Sequence, residues 1–182
     1  MTAVTTLPYA RPLRRDDLQH LPDDGHRYEL IDGSLLVSPA PRIAHQRVVG
    51  NLFVLLRLAC PAELEVVLAP FAVGLADDTE VQPDLIVAPR SSFTERDLPG
   101  PPLLAVEVLS PSTRRVDLLL KRDRYEEAGI ASYWIVDPVG PRVTVLELEA
   151  GRYVERAGGA GDLLLTIVRP FPVQVLPARL LD

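Results

Sequence analysis

Two carboxylates stand at positions where the surrounding sequence predicts buried strands. Glu107 interrupts an almost wholly apolar run at 103–109, and Asp84 opens a second apolar run at 85–88. Runs of this kind are typical of central, buried strands. A lone carboxylate is costly to bury unless it is paired or bound to a metal. If the two strands are neighbours, both side chains can face one point, as a hard divalent cation requires.

Each carboxylate also has a structural interpretation that involves no chemistry. Glu107 could lie near the end of its strand and reach solvent or an arginine. Asp84 follows Pro83, and an aspartate in such a position commonly stabilises a turn. Two carboxylates on two apolar strands are a more specific signal than either one alone, and both interpretations stay open at this point.

Lys121 is the third charged residue in an apolar setting. It falls within the core-facing stripe of a helix that the hydrophobic periodicity predicts over 116–128. The stripe consists of Leu118, Lys121, Tyr125 and Ala128. In one interpretation its stem crosses the stripe and its ammonium pairs with Asp117, one turn earlier. In the other, the ammonium reaches the two carboxylates. The other 18 of the 19 basic residues are arginines, which would serve a surface pair equally well, so the lysine favours chemistry.

Two weaker candidates lie earlier in the chain. Glu29 belongs to a predicted strand at 28–31, where an ordinary alternating polar position explains it. His45 lies at the centre of the apolar face of a helix predicted over 43–60, in its first turn. A lone histidine on such a face is usually a buried group with a hydrogen-bond partner, although this position could also line the edge of a cleft.

Composition and charge exclude several classes of protein. The chain has 182 residues, of which 47% are hydrophobic and 24% charged, as in a soluble globular protein. No apolar run approaches the ~20 residues of a membrane span, and no signal-peptide pattern is present, so we expect a cytoplasmic protein without a membrane partner. The single cysteine, Cys60, excludes an intramolecular disulfide and a multi-cysteine zinc site. With a net charge of −6, the chain would have to bind nucleic acid through a local patch.

The predicted elements form a single domain over residues 1–182, without repeats or a long linker. Two long helices, at 43–60 and 116–128, alternate with strands, which predicts an α/β or α+β fold with a central mixed sheet flanked by helices. Asp32-Gly33, between two short alternating segments, predicts an N-terminal β-hairpin. A short helix is predicted at 14–21. The strands are predicted at 28–31, 34–37, 65–75, 84–88, 103–109, 132–136, 142–147, 152–155 and 163–168.

Five motifs, spread over roughly residues 14–150, are specific in combination although each is weak alone. They are Tyr28-Glu29-Leu30-Ile31-Asp32-Gly33, Gln82-Pro83-Asp84-Leu85, Glu107-Val108-Leu109-Ser110-Pro111-Ser112-Thr113, the segment from Lys121 to Tyr125, and Tyr133-Trp134-Ile135-Val136-Asp137-Pro138. Together they resemble the Uma family of restriction endonucleases, in the PD-(D/E)XK nuclease superfamily. The resemblance implies a restriction-endonuclease-like fold.

The resemblance also implies a metal site and a catalytic lysine. Asp84 and Glu107 would be the two acids of the motif, and would bind Mg²⁺ or Mn²⁺ with help from the backbone carbonyl of Val108. The superfamily lysine normally lies two positions after the second acid, but Leu109 stands there. In the Uma-like pattern the lysine lies on the following helix, which maps it onto Lys121.

Further roles follow from the same resemblance. Lys121 would orient the attacking water or stabilise charge that develops on phosphorus. Glu29 would be catalytic, through a second metal or a water bridge. His45 would lie at the edge of the site.

The resemblance implies a metal-dependent endonuclease that hydrolyses DNA phosphodiester bonds. The basic cluster that would contact the DNA backbone is Arg114, Arg115, Arg122 and Arg124, although a solvated helix face also explains it. Two other functions stay open. One is a non-catalytic nucleic-acid-binding or assembly module on the same fold, and the other is a metal-dependent hydrolase of a small phosphorylated substrate; the acidic net charge suits both. Nucleases of this fold often work as dimers, so a homodimer is a further expectation.

Overall fold

The computed structural model describes residues 11–111 and 114–182. Its strands are β1 (Arg27–Ile31), β2 (Ser34–Ser38), β3 (Leu64–Leu68), β4 (Ala72–Ala76), β5 (Thr79–Val81), β6 (Leu85–Pro89), β7 (Asp97–Leu98), β8 (Leu104–Val108), β9 (Ser132–Asp137), β10 (Arg142–Glu149), β11 (Arg152–Ala160), β12 (Leu165–Ile167) and β13 (Val173–Val175). The helices are α1 (Arg15–Leu18), α2 (Ile43–Ala59) and α3 (Arg122–Glu127), with a π-helical segment at Val116–Lys121 and 3₁₀ turns at Arg90–Ser92 and Pro177–Leu181. Within these residues, no helix has the length and apolar character to cross a membrane.

The central sheet has the strand order β11-β10-β9-β8-β6-β3. β8 and β9 run parallel, and the other neighbouring strands are antiparallel. All five residues of β8 are buried, as expected for a strand covered on both faces. On one face Leu52 of α2 packs in a cluster with Val106, and on the other Tyr125 of α3 packs in a cluster with Ala105. The predicted α+β class, with a mixed sheet between helices, is confirmed.

A second sheet, of order β2-β1-β5-β4-β7, carries the N-terminal hairpin. β1 and β2 pair antiparallel around Asp32 and Gly33, whose φ angles are 51° and 71°. Two consecutive positive φ angles are the signature of a type I′ turn, which suits the twist of a two-residue hairpin. The predicted hairpin is therefore confirmed, and it places β1 beside the end of the central sheet that holds Asp84.

Some element boundaries differ from the prediction. The strand predicted at 65–75 is wrong as a single element, because it divides into β3 and β4 on either side of Pro70, which cannot donate a ladder hydrogen bond. β5 and β7 are too short to show a periodic pattern, and α1 is shorter than the helix predicted at 14–21. The single-domain boundary at 1–182 stays a prediction, and its first ten residues lie outside the described ranges.

Candidate active site

Strand register brings Asp84 and Glu107 together. Leu85, the first residue of β6, pairs with Val106 of β8, so Asp84 lies directly before β6 and beside the end of β8 that carries Glu107 and Val108. The backbone N–H of Val108 also donates a 2.8 Å hydrogen bond to Oδ2 of Asp84. The two acids that the sequence singled out thus lie at the adjacent ends of two hydrogen-bonded strands.

Asp84 is held by a cation and an imidazole in a nearly closed environment. Its carboxylate, on a residue only 3% exposed, lies 3.0 Å from Nη1 of Arg27 and 3.1 Å from Nε2 of His45. Burial raises its pKa, but the hydrogen bond and charge of His45, the charge of Arg27 and the Val108 amide outweigh burial and lower it. Asp84 is therefore an ionised carboxylate in a fixed orientation.

Glu107 has the opposite electrostatic character. It is 1% exposed, and its Oε1 accepts a 2.6 Å hydrogen bond from the Tyr125 hydroxyl and a 3.0 Å hydrogen bond from Nζ of Lys121. Burial raises the pKa of Glu107 to about 8, although the charge of Lys121 lowers it. Neighbouring carboxylates, Asp117 and Asp84 among them, act in the same direction as burial. The two central acids consequently differ in how readily they ionise.

Lys121 lies inside a cage of carboxylates. Its Nζ is 2.8 Å from Oε1 of Glu29, 3.0 Å from Oε1 of Glu107 and 3.7 Å from Oδ1 of Asp117. The lysine is 1% exposed, so the interpretation in which it reaches past the stripe to the surface is wrong. Burial lowers the pKa of Lys121, but the three carboxylates raise it above its ordinary value, so the ammonium stays charged.

The helix that carries Lys121 is π-helical at this point. The predicted helix over 116–128 is confirmed in position, but Val116–Lys121 makes π-type turns before α3 begins. Short π-helical segments widen a helix locally and occur often at functional sites. The side chains of Asp117 and Lys121 both turn inward here, whereas Leu119 is exposed. The local geometry therefore delivers an acid and its partner cation together to the buried cluster.

Glu29, Asp84, Glu107, Asp117 and Lys121 form one buried cluster. Two further residues, Arg27 and Tyr125, contact this cluster, and the sequence analysis did not identify either of them as a site residue. Arg27 precedes Glu29 by two positions on β1, so both side chains share the strand face that meets Asp84. Tyr125 lies one turn after Lys121 in the predicted stripe, which marked it as core but not as a partner of Glu107. Alternation along β1 could have identified Arg27, had β1 been known to face the acids.

The four arginines predicted to contact DNA do not line this cluster. Arg114 pairs with Asp137 at 2.6 Å, and Arg124 pairs with Asp32 at 3.1 Å. Arg122 lies 4.0 Å from Asp123, while Arg115 is exposed. Their role in binding nucleic acid stays a prediction.

The charges of the cluster suit a divalent cation. Glu29, Asp84, Glu107 and Asp117 are buried, and the fixed cations among them are Arg27 and Lys121. Because Glu107 retains its proton up to about pH 8 without a metal, two negative charges are left uncompensated only when that proton is lost, as it would be to a bound cation. Within residues 11–111 and 114–182, no three His, Cys, Asp or Glu side chains are grouped as a ready metal cage. Mg²⁺ needs no such cage, because it retains several waters and is commonly held by one or two carboxylates. The donor set therefore fits such an ion.

A cleft of about 1020 Å³ reaches one side of the cluster. Asp84, Arg27 and His45 contribute to its lining, whereas Glu29, Glu107 and Lys121 do not. A ligand that enters the cleft therefore meets Asp84 first, and meets the caged lysine only behind it.

The raised pKa of Glu107 gives a testable pH dependence of stability. An unfolded glutamate titrates near 4.5, whereas Glu107 in the fold retains its proton up to about pH 8. Between these values the folded state binds more protons than the unfolded state, so this carboxyl lowers the free energy of unfolding as the pH rises. We expect Glu107→Gln to match wild type near pH ~4.5 and to become progressively more stable than wild type towards pH ~8. Urea unfolding in EDTA measures the difference, and a difference independent of pH would contradict the assignment.

Comparisons with known proteins give a family match and a structural match. The model of the Uma2 family, described as "Putative restriction endonuclease", matches residues 15–179. A crystal structure from Anabaena variabilis, described as "a putative nuclease belonging to DUF820", superposes with a TM-score of 0.67 at 17% identity, over 86% of this chain and 89% of that chain. At that identity the likeness concerns the fold, which is restriction-endonuclease-like. No curated protein matches the chain.

Proposed function

Since the chain belongs to the Uma2 family, we propose that it is a metal-dependent endonuclease that hydrolyses DNA phosphodiester bonds. Membership of this family classes the chain, at a coarse level, with nucleases. The observation that carries the finer proposal is the meeting of Asp84 and Glu107 at the adjacent ends of β6 and β8, with the ammonium of Lys121 against Glu107. Two acids that can hold a divalent cation, with a buried ammonium from the following helix beside them, are components that metal-dependent phosphodiester hydrolysis uses.

The residues proposed to hold the metal are Asp84, Glu107 and the backbone carbonyl of Val108, with Mg²⁺ or Mn²⁺ as the ion. When bound, such an ion polarises the phosphate and lowers the pKa of an attacking water. Arg27 and His45 keep Asp84 ionised and oriented from one side, and Tyr125 fixes Glu107 from the other.

Lys121 is proposed to act through its charge. Its pKa is raised by the acids around it, which makes it a poor acceptor of a proton from water. A fixed positive charge close to the reacting phosphate stabilises the negative charge that develops there. Glu29, whose Oε1 binds both the ammonium and the backbone N–H of Gln82, is proposed to hold the lysine in place.

The proposal predicts cation-dependent nicking of plasmid DNA. We expect purified wild-type protein to convert supercoiled plasmid to open circles with Mn²⁺ or Mg²⁺ and to be inactive in EDTA. Glu107→Gln, which removes a ligand but keeps the side-chain volume, should nick at background rate. Nicking that persists in EDTA, or that is unchanged in Glu107→Gln, would contradict the proposal.

A second candidate function is hydrolysis of a small phosphorylated substrate by the same site. The net charge of −6 favours it, because such a chain attracts a polyanion poorly. Cleavage of a chromogenic phosphodiester by a protein that leaves plasmid and oligonucleotides intact would support this second function. Inactivity on every phosphodiester would instead support a non-catalytic module.

A further inference from the structure

The size of the cleft limits what can reach Asp84. Its volume of about 1020 Å³ is at the upper end of sites that bind small ligands, about 300–1,000 Å³. Asp84 lines the cleft but is only 3% exposed. A phosphate on the outside of a stiff duplex is held away from so deeply buried a carboxylate, whereas a flexible single strand can bend into the cleft.

The wall of the cleft offers surfaces on which bases can stack. His26, directly before β1, and Tyr28, its second residue, both line the cleft, and their ring centroids lie 6.4 Å apart. The Tyr28 hydroxyl donates a 2.8 Å hydrogen bond to Asp24, which fixes the ring. Aromatic rings that line a groove are how proteins hold the bases of single strands, since every base has a face that can stack.

The charged side chains that line the cleft suit a ligand that brings only a few phosphate groups into it. Its lining contains four arginines and six acids. Arg15 pairs with Glu80 and Asp97, and Arg27 pairs with Asp84. Within the described part of the chain, Arg96 has no ion pair and can face a phosphate. Duplex DNA carries one negative charge about every 1.7 Å along its axis, which is twice the density of one of its strands. Because acids outnumber arginines in the lining, a single strand is repelled less than a duplex.

We propose that this cleft binds single-stranded DNA, with an unpaired base against Tyr28 on one face of β1 and a phosphate directed to Asp84 on the other, and that it excludes the intact duplex. A supercoiled plasmid is then nicked where negative supercoiling unpairs its strands. The proposal rests on the proposed endonuclease function, since it names the substrate class of the same site. It also explains how an acidic chain binds DNA: stacking supplies part of the affinity that a basic surface would otherwise supply.

Binding of two labelled probes tests the proposal separately from catalysis. Fluorescence anisotropy with Ca²⁺ in place of Mn²⁺ compares a single-stranded oligothymidine with a blunt-ended duplex of two strands of the same length, and the integrity of both probes is checked afterwards. We expect the single strand to bind at least about tenfold more tightly, the scale of one stacked base. Equal or tighter binding of the duplex would overturn the proposal.

Variants locate the binding within the cleft. Tyr28→Ala should weaken binding of the single strand about tenfold, whereas Tyr28→Phe, which keeps the ring, should bind as wild type does. Arg96→Ala should also weaken binding, and Arg142→Ala, an exposed arginine outside the lining, should not. Melting temperatures verify that each variant is folded. Equal affinities of folded Tyr28→Ala and Tyr28→Phe would place the strand elsewhere.

The two proposals fail in different ways. Selective binding of the single strand without any cleavage in Mn²⁺ would contradict the endonuclease function alone. Mn²⁺-dependent cutting of the blunt-ended duplex, with the oligothymidine untouched, would leave the endonuclease function in place and overturn the single-strand proposal.

Discussion

Asp84→Asn is expected to reduce Mn²⁺-dependent cleavage to background and to weaken Mn²⁺ binding. The amide keeps the size of the side chain but loses the charge that a hard cation requires. Loss of even an outer partner of a metal ligand costs about 10–100-fold in metal affinity, so loss of a ligand should cost at least that. Titration of Mn²⁺ by electron paramagnetic resonance measures the affinity without reference to turnover. Wild-type affinity in the variant would remove Asp84 from the metal site.

The same substitution is expected to destabilise the metal-free fold. The sequence alone predicts the opposite result. If Asp84 and Glu107 only repelled each other, removing one of the two charges would leave the stability of the metal-free protein unchanged or would raise it. The contacts reverse this expectation, because Asp84 pairs with Arg27 and His45 and has a lowered pKa, so its ionised form stabilises the fold. Breaking a buried ion pair from one side costs up to about 3–5 kcal/mol.

A surface aspartate provides the matched control for this stability measurement. Asp123 is 71% exposed and lies 4.0 Å from Arg122, so Asp123→Asn should change the free energy of unfolding by less than about 1 kcal/mol. Urea unfolding of both variants in EDTA gives the comparison. A loss of stability in Asp84→Asn no larger than in Asp123→Asn would mean that the buried pair contributes nothing measurable.

Local patterns predicted the elements of the site better than its contacts. Asp32-Gly33 predicted the hairpin because a type I′ turn depends on only two residues. The acids at 84 and 107 were identifiable because each breaks an apolar run. Arg27, in contrast, is indistinguishable in sequence from an ordinary polar strand residue. Its contact with Asp84 becomes visible only once β1 is known to lie beside the start of β6, and no local sequence pattern indicates that arrangement.

The helix that follows β8 shows a second limit. Its apolar stripe correctly placed Lys121 and Tyr125 on one face, since both residues are buried. The i,i+4 spacing of Asp117 and Lys121 already indicates that the two side chains lie side by side. A stripe of period 3.6 cannot indicate the π-type turns at Val116–Lys121, which only the folded chain displays.

Lys121→Met is expected to destabilise the protein, although methionine would complete the apolar stripe. The lysine is the common partner of Glu29, Glu107 and Asp117, and its removal leaves three buried acids without it. The expected loss is about 3–5 kcal/mol in the free energy of unfolding, the cost of breaking a buried pair from one side. Urea unfolding near pH ~7 checks it; a variant as stable as wild type would show that the cage does not depend on its cation.

Lys121→Arg separates charge from shape at the same position. Arginine keeps the positive charge, but its planar guanidinium is larger than the ammonium and does not reproduce it in a cage that is 1% exposed. We expect a folded protein whose cleavage rate falls by roughly 10²–10³-fold, the scale for loss of one positioned electrostatic group. The matched control is Arg142→Lys, an exposed exchange of the same two residue types, which should leave the rate unchanged. A folded Lys121→Arg protein that cleaves at the wild-type rate would show that any cation serves here, and the chemistry would then rest on Asp84 and Glu107 alone.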